Sequence, residues 1–237
     1  MQPTIALMMG MLSCSASQAS SLPGLTQLRV EHKGEAWEVI RVELDQQALR
    51  LTGGEPTDPH TLAELGEVTL AMNAGMYLKD LRPVGLLIQD GVEHAPLELG
   101  PGGGGNFFIK PNGVLAWGSG GAWIVESTAW AAGPPEGVGF ATQSGPLLVH
   151  QGRIHPELNP ASTSTYTRNG ACVSEGDTVV LFISHRAVSL YTAAEFASAA
   201  LGCREALYLD GGVSVLRTRS GTMGHKRGSF GPFLVVD

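Results

Sequence analysis

Ala206-Leu207-Tyr208-Leu209-Asp210-Gly211-Gly212-Val213-Ser214 is the stretch on which the fold turns. Four residues of buried-strand character run straight into a carboxylate, and two glycines follow. The apolar run predicts a strand. The glycines tolerate φ > 0 and let another group approach the backbone closely. Asp210 is therefore expected at a strand end, on a rigid platform, facing open space. Asp-Gly is also a favoured hairpin pair, so the triplet on its own reads equally as a turn. The surrounding chain has to decide.

Just upstream, Thr192-Ala193-Ala194-Glu195 has capping-box spacing, and Phe196, Ala199, Ala200 and Leu201 form an apolar stripe before Gly202. This predicts a helix that feeds the Glu205–Asp210 strand. Thr178 to Ser184 is a continuous apolar run, hence a central strand buried on both faces. Leu28 to Glu31 and Ala36 to Leu44 read as strands around a Lys33-Gly34-Glu35 turn, with a bulge in the second where alternation breaks. Thr61 to Leu65 reads as a short helix. Asp90-Gly91 reads as a hairpin turn, Asn106 to Ile109 as a strand, and Pro111-Asn112-Gly113 as a turn that pairs Val114 to Trp117 back onto it.

With 32 Gly and 14 Pro, the 237-residue chain favours many short strands and turns over a helical bundle. It is 43% hydrophobic and 16% charged, enough for a sizeable core. No composition break, heptad or repeat divides it. The expected fold is α+β, one strand-rich domain over residues 21–237, with a mixed sheet and one or two packed helices. A net charge of −7 without a basic stripe or Lys/Arg cluster argues against a nucleic-acid partner.

The first charged side chain is Arg29. The short apolar run Ile5 to Leu12 and the small-residue patch Ser13 to Ala19 predict an export leader over residues 1–20, cleaved near Ala19. Lipid attachment at Cys14 is the alternative route. The run is too short to span a bilayer. Export implies a periplasmic or secreted protein. Cys172 and Cys203 are read as buried thiols, given how often free cysteine is buried, although in an exported domain pairing is also open to them.

Polar residues leave apolar runs at Asn73, Asn106, Thr142-Gln143-Ser144 and Asp210, and Arg168 begins a further strand. Amides bind hydroxyls as donors and acceptors, and Arg grips phosphate oxygens bidentately. This is a toolkit for sugar and phosphate. The glycine run Gly100 to Gly105 is no phosphate loop, because no Gly-Lys-Ser/Thr and no helix follow it. Ser144-Gly145 is no nucleophile elbow. His155 and His185 lack a spaced partner and read as surface or satisfied histidines. No metal or cofactor motif is present.

Met72-Asn73-Ala74-Gly75-Met76-Tyr77, Pro83-Val84-Gly85-Leu86, Gly105-Asn106-Phe107-Phe108, Thr142 to Val149, Arg168-Asn169-Gly170 and Ala206 to Gly212 occur in this order. Together they resemble the phosphodiester glycosidase domain family, in a compact bacterial exported branch. Its enzyme branch has Asn-Gly-Gly-Phe-Phe where this chain has Asn73 to Tyr77. The resemblance implies hydrolysis of a sugar C1–O bond with a phosphodiester leaving group, in envelope or extracellular carbohydrate metabolism. Such chemistry uses a pair of carboxyls around an oxocarbenium-like transition state. Asp210 is the first and Asp80 the choice for the second, with Glu157 behind it. Arg168 is assigned to phosphate. Asn73, Gly75, Asn106, Thr142, Gln143, Ser144, Gly211 and Gly212 are assigned to substrate. The reading from another class is a non-catalytic glycan binder or an accessory to polysaccharide export.

Overall fold

A computed structural model describes residues 15–53, 58–174 and 177–237. Cys14 and the leader up to residue 14 lie outside the described residues; residues 15–20 belong to the first strand.

The chain opens as a meander of β1 (Ser15–Leu22), β2 (Leu25–His32) and β3 (Glu35–Glu43). Lys33 and Gly34 turn β2 into β3 with φ of 50° and 82°. Pairing runs unshifted from Leu25↔Val42 to His32↔Glu35, so the expected bulge in β3 is absent. Alternation breaks for another reason: Trp37 and Val39 face one core cluster, and Ile40 and Val42 face another.

β4 (Arg50–Thr52), β5 (Leu70–Asn73), β6 (Leu87–Gln89) and β7 (Val92–Ala95) follow. Residues 61–65 form turns, not the expected helix. Asn106–Phe108 is a 3-10 turn, not the expected strand. β8 (Gly113–Gly118) pairs instead with β9 (Gly121–Glu126) and β10 (Val138–Ser144). α1 (Ser127–Ala132) lies between those two, capped by the Glu126 carboxylate. β11 (Leu147–His150), β12 (Arg153–Ile154), β13 (Asn169–Ser174) and β14 (Thr178–Ser184) come next. α2 (Leu190–Glu195) is capped by Ser189 Oγ rather than Thr192 and widens into a π turn at Phe196–Ala200. Gly202, at φ 69°, ends it. β15 (Ala206–Tyr208), β16 (Val215–Thr218), β17 (Gly221–Gly224) and β18 (Phe233–Val236) complete the chain.

Among the described residues these strands form three sheets: β1-β2-β3-β14-β13-β15-β11-β12, β7-β6-β10-β8-β9 and β17-β16-β5-β18-β4. Every pairing given for them is antiparallel, which corrects the expected mixed sheet. α2 carries the chain from β14 to β15 across β13. β14 and β15 are each antiparallel to β13, so they run parallel to one another without bonding.

β14 shows why its sequence is uniformly apolar. Val179, Leu181 and Ile183 enter a core shared with Leu70, Met72, Leu87 and Leu115 of the other two sheets. Val180 and Phe182 enter a second cluster under α2, where Trp37 stacks on Phe196 at 4.2 Å between ring centroids. Fully burying a side chain such as Phe182 contributes about 1.5–3 kcal/mol. Cys172 on β13 and Cys203 before β15 are disulfide-bonded, with Cα atoms 6.1 Å apart, and are not free thiols. None of the described helices is long and apolar enough to cross a membrane.

Candidate active site

The turn after β15 is held from two other strands. Asp210 N–H donates to Ala74 O at 3.0 Å, and Leu209 N–H to Asn169 O at 3.3 Å. Asn73, at the end of β5, donates its Nδ2–H to Asp210 O at 2.7 Å. Its Oδ1 accepts from Val215 N at 2.8 Å and from Asn169 Nδ2 at 2.9 Å. Ser214 Oγ lies 2.8 Å from Thr167 O and 3.1 Å from Asn169 Oδ1. Asn73, Asn169 and Ser214 are buried, so these bonds replace water and fix the turn. Asn73 is thus a clamp on the Asp210 backbone rather than a group open to a sugar.

Asp210 is only partly enclosed as a residue, but its carboxyl is crowded. Burial pushes it above the usual carboxylate range, and the Gly212 N–H, 3.3 Å from Oδ1, opposes this. Two phenols feel its charge. Tyr208 is pushed up to about 12, chiefly by burial, with Asp210 adding to the rise and Arg168 opposing it. Tyr77 is also pushed up to about 12, by burial first and Asp210 second, and its O–H donates to Ser229 O at 3.0 Å. Gly211 is required beside Tyr208: a Cβ there would lie 1.8 Å from the phenol oxygen.

Arg168 is 2% exposed. Its Nη1 donates to Tyr208 Oη, its Nε to Val188 O at 3.3 Å and its Nη2 to Ser164 O at 3.2 Å. The guanidinium lies over the Tyr166 ring at 4.8 Å and the Tyr208 ring at 5.4 Å. It faces inward onto Tyr208 rather than outward toward a phosphate.

Gly211 and Gly212 open onto a cleft of about 390 Å³ whose other walls include Tyr166, Thr167, His185 and His225. His185 Nε2 is 3.1 Å from Glu38 Oε2. Glu38 is 5% exposed, and its Oε1 accepts from Gln27 Nε2 at 2.6 Å. Next in sequence to the two histidines stand Arg186 and Lys226-Arg227, all exposed and without an ion-pair partner among the described residues. A more apolar cavity of about 290 Å³ lies between β1, β2 and Thr218–Ser220; no carboxylate or imidazole lines it.

The other expected residues lie elsewhere. Asp80 is exposed, and Arg82 occupies its carboxylate through Nε at 2.8 Å, holding it below the usual range. It is not among the groups that act on Asp210. Glu157 is exposed, and its N–H donates to His155 Nδ1. His155 is buried and satisfied, with Nε2 donating to Lys110 O at 2.9 Å. Gln143 spends its whole amide internally: Oε1 accepts from Leu86 N and Glu98 N, and Nε2 donates to Glu98 O and Ser127 Oγ. Thr142 and Ser144 are buried, and Ser144 Oγ has no partner among the described residues. Gly75 is small because a Cβ would lie 2.4 Å from Thr142 Oγ1 and 2.5 Å from Gln143 O, so Thr142 and Gln143 back the Asn73–Gly75 segment. Asn106 is half-buried at the start of its 3-10 turn and is not part of the cleft wall.

The structure therefore gathers Asn73, Arg168, Asp210, Gly211 and Gly212, and leaves out Asp80, Asn106, Thr142, Gln143 and Ser144. The sequence reading missed Tyr77 and Tyr208, although both stand inside quoted motifs. It also missed Asn169, which follows Arg168. His185 and Glu38 are 147 residues apart and carry no local signal.

The family model described as phosphodiester glycosidase matches residues 66–226. The chain is 34% identical over 172 residues to the uncharacterized protein YigE of Escherichia coli (strain K12). That match covers 73% of this chain and 66% of the relative, just under two thirds of its length. Among solved structures, the catalytic domain of zebrafish N-acetylglucosamine-1-phosphodiester alpha-N-acetylglucosaminidase, auto-inhibited by its pro-peptide, is similar in fold with a TM-score of 0.64. It is 13% identical, and the superposition covers 95% of this chain and 88% of that one.

Proposed function

The chain belongs to the phosphodiester glycosidase family, and on that footing we propose that it hydrolyses the glycosidic C1–O bond of a sugar-1-phosphodiester. By its name, the zebrafish enzyme acts on such a linkage. The observation that carries the reading is the Asp210 carboxyl, clamped through its backbone directly before the two glycines that line a polar cleft, and partly stripped of water.

The chemistry follows from that placement. As the C1–O bond breaks, positive charge grows on C1 and the ring oxygen, and the electron pair leaves on the phosphate oxygen. A desolvated Asp210 carboxylate has given up much of its hydration already, so it gains more from the growing cation than a carboxylate in water would. The phosphate leaves as a stable phosphomonoester anion and needs little protonation. Arg186, Lys226 and Arg227 beside the cleft supply positive charge for it in a chain of net charge −7. Arg168 contributes by packing over the Tyr166 ring, which lines the cleft, while its donors hold the Tyr208 hydroxyl and the Ser164 carbonyl.

We place the protein in an exported, envelope or extracellular setting. The uncharged apolar start supports this, and so does the Cys172–Cys203 bond, because disulfides persist in oxidising compartments.

The test is a screen of sugar-1-phosphodiesters with the purified protein in isotopically labelled water. Label in the sugar hydroxyl and an unlabelled phosphomonoester are expected. Label in the phosphate would mean P–O cleavage and would overturn the reading, as would binding without turnover across the screen.

A further inference from the structure

We propose that His185, oriented by Glu38, is the base that activates the attacking water. The inference rests on the glycosidase reading above and supplies the residue that reading lacks.

Glycoside hydrolysis is ordinarily run by two carboxyl groups. Asp210 is one. It directly precedes the lining residues Gly211 and Gly212, no Asp or Glu is itself among the described residues that line the cleft, and Asp80 is engaged with Arg82. What the cleft offers instead is imidazole. His185 follows β14, and its backbone N–H donates to Ala36 O at 2.9 Å, which anchors it to β3. Glu38 stands on the same strand, nearly buried. Its carboxylate is fixed on both oxygens, by Gln27 at 2.6 Å and His185 at 3.1 Å.

A carboxylate only accepts, so His185 Nε2 carries the proton and donates it to Glu38. In the neutral ring Nδ1 is then the basic nitrogen, and it has no hydrogen-bond partner among the described residues. The ring shares a cleft wall with Gly211 and Gly212, the residues directly after Asp210. A histidine whose far nitrogen is held by a buried carboxylate is a recurrent form of general base. His225 does not have this form: its ring meets Phe230 edge-on, and among the described residues it has no carboxylate partner.

The step balances. The water oxygen bonds to C1 as the C1–O bond breaks, and the bonding pair departs on the phosphate oxygen. The water proton passes to His185 Nδ1, and Glu38 carries the compensating charge. The products are the free sugar and a phosphomonoester.

A purely structural role, in which His185 only satisfies a buried Glu38, would be met by glutamine. The experiment compares wild type, His185→Ala, His185→Gln and Glu38→Gln on a sugar-1-phosphodiester, with and without added imidazole. His185→Ala is expected to lose about 100- to 10,000-fold in kcat with little change in KM, the range for removing a general base. Imidazole should restore part of that loss. His185→Gln should fold normally and remain slow, because an amide takes no proton, and Glu38→Gln should lose less. An active wild type together with a His185→Gln enzyme above roughly a tenth of its rate overturns the inference alone. So does a His185→Ala loss that imidazole leaves untouched. A wild type that binds sugar phosphodiesters without turnover overturns the glycosidase reading and this inference with it.

Discussion

Asn73 donates its side-chain N–H to the carbonyl oxygen of Asp210 at 2.7 Å, across 137 residues of sequence. The bond joins β5 of one sheet to the end of β15 of another, so the position of the carboxylate depends on how two sheets dock. Asn169, on β13, closes the arrangement by bonding both Asn73 Oδ1 and Asn73 O.

Asn73→Ala removes this clamp and leaves Val215 N–H, Asn169 Nδ2 and Asp210 O short of partners in a buried place. The expected loss is about 2–4 kcal/mol of stability, the scale for several orphaned buried groups, and turnover should fall with it. Urea denaturation and turnover on the same preparation check this. A variant of wild-type stability and activity would mean that the backbone bonds from Ala74 and Asn169 suffice to hold Asp210.

The elements legible in the sequence are those that serve one local purpose. Thr178 to Ser184 reads as a strand because every residue enters a core, and Ala206 to Asp210 reads as a strand end because its glycines must follow. Pairing partners are not local, so a mixed sheet was expected where β15 pairs antiparallel with β13 and β11. The polar triplet Thr142–Ser144 looked like substrate chemistry. It marks where β10 leaves one sheet and β11 enters another, and a chain crossing between sheets needs Gln143 to satisfy Leu86 and Glu98. Buried polar satisfaction and ligand recognition use the same residue types, so composition does not separate them. The His185–Glu38 pair is invisible for the opposite reason: neither residue stands in a motif.

Breaking the disulfide should be costly. Cys172 and Cys203 are separated by 31 residues, and together they tie β13 to the segment that launches β15. Cys203→Ser is expected to destabilise by about 3–4 kcal/mol from the loop entropy returned to the unfolded chain. Denaturant midpoints with and without reductant test it: the wild type should move toward the variant on reduction, and the variant should not move.

Arg168 distinguishes packing from phosphate binding. Arg168→Met removes the donors to Tyr208, Val188 and Ser164 but keeps much of the volume, and should cost about 2–4 kcal/mol of stability. If the guanidinium works only from inside, the folded fraction of this variant should bind inorganic phosphate as the wild type does. Lys226→Glu with Arg227→Glu should weaken that binding without lowering stability. Isothermal titration decides, and the reverse pattern would return the phosphate to Arg168.

Asp210→Asn should separate chemistry from stability in opposite directions. The amide keeps the size of the carboxyl and can still accept from Gly212, but it carries no charge. Turnover is expected to fall by about a thousandfold or more, the scale of a catalytic carboxyl, while ligand binding is kept. The stability effect has the other sign. Burial raises the native Asp210 value above its unfolded one, so the folded state holds that proton more tightly. Below the unfolded value of about 3.9 the group is neutral in both states and burial costs no ionisation. As pH climbs from there toward the raised native value, the folded protein loses stability relative to the unfolded chain, and the deficit is complete once the pH has passed that value. Asparagine never ionises and escapes it. Asp210→Asn should therefore melt above the wild type at neutral pH, and the gap should close as the pH falls toward about 4. Paired melting curves across that range test the burial argument apart from any substrate. A variant that melts below the wild type at neutral pH would mean that the carboxylate is stabilised where it stands, and that its charge is not held ready for a growing cation.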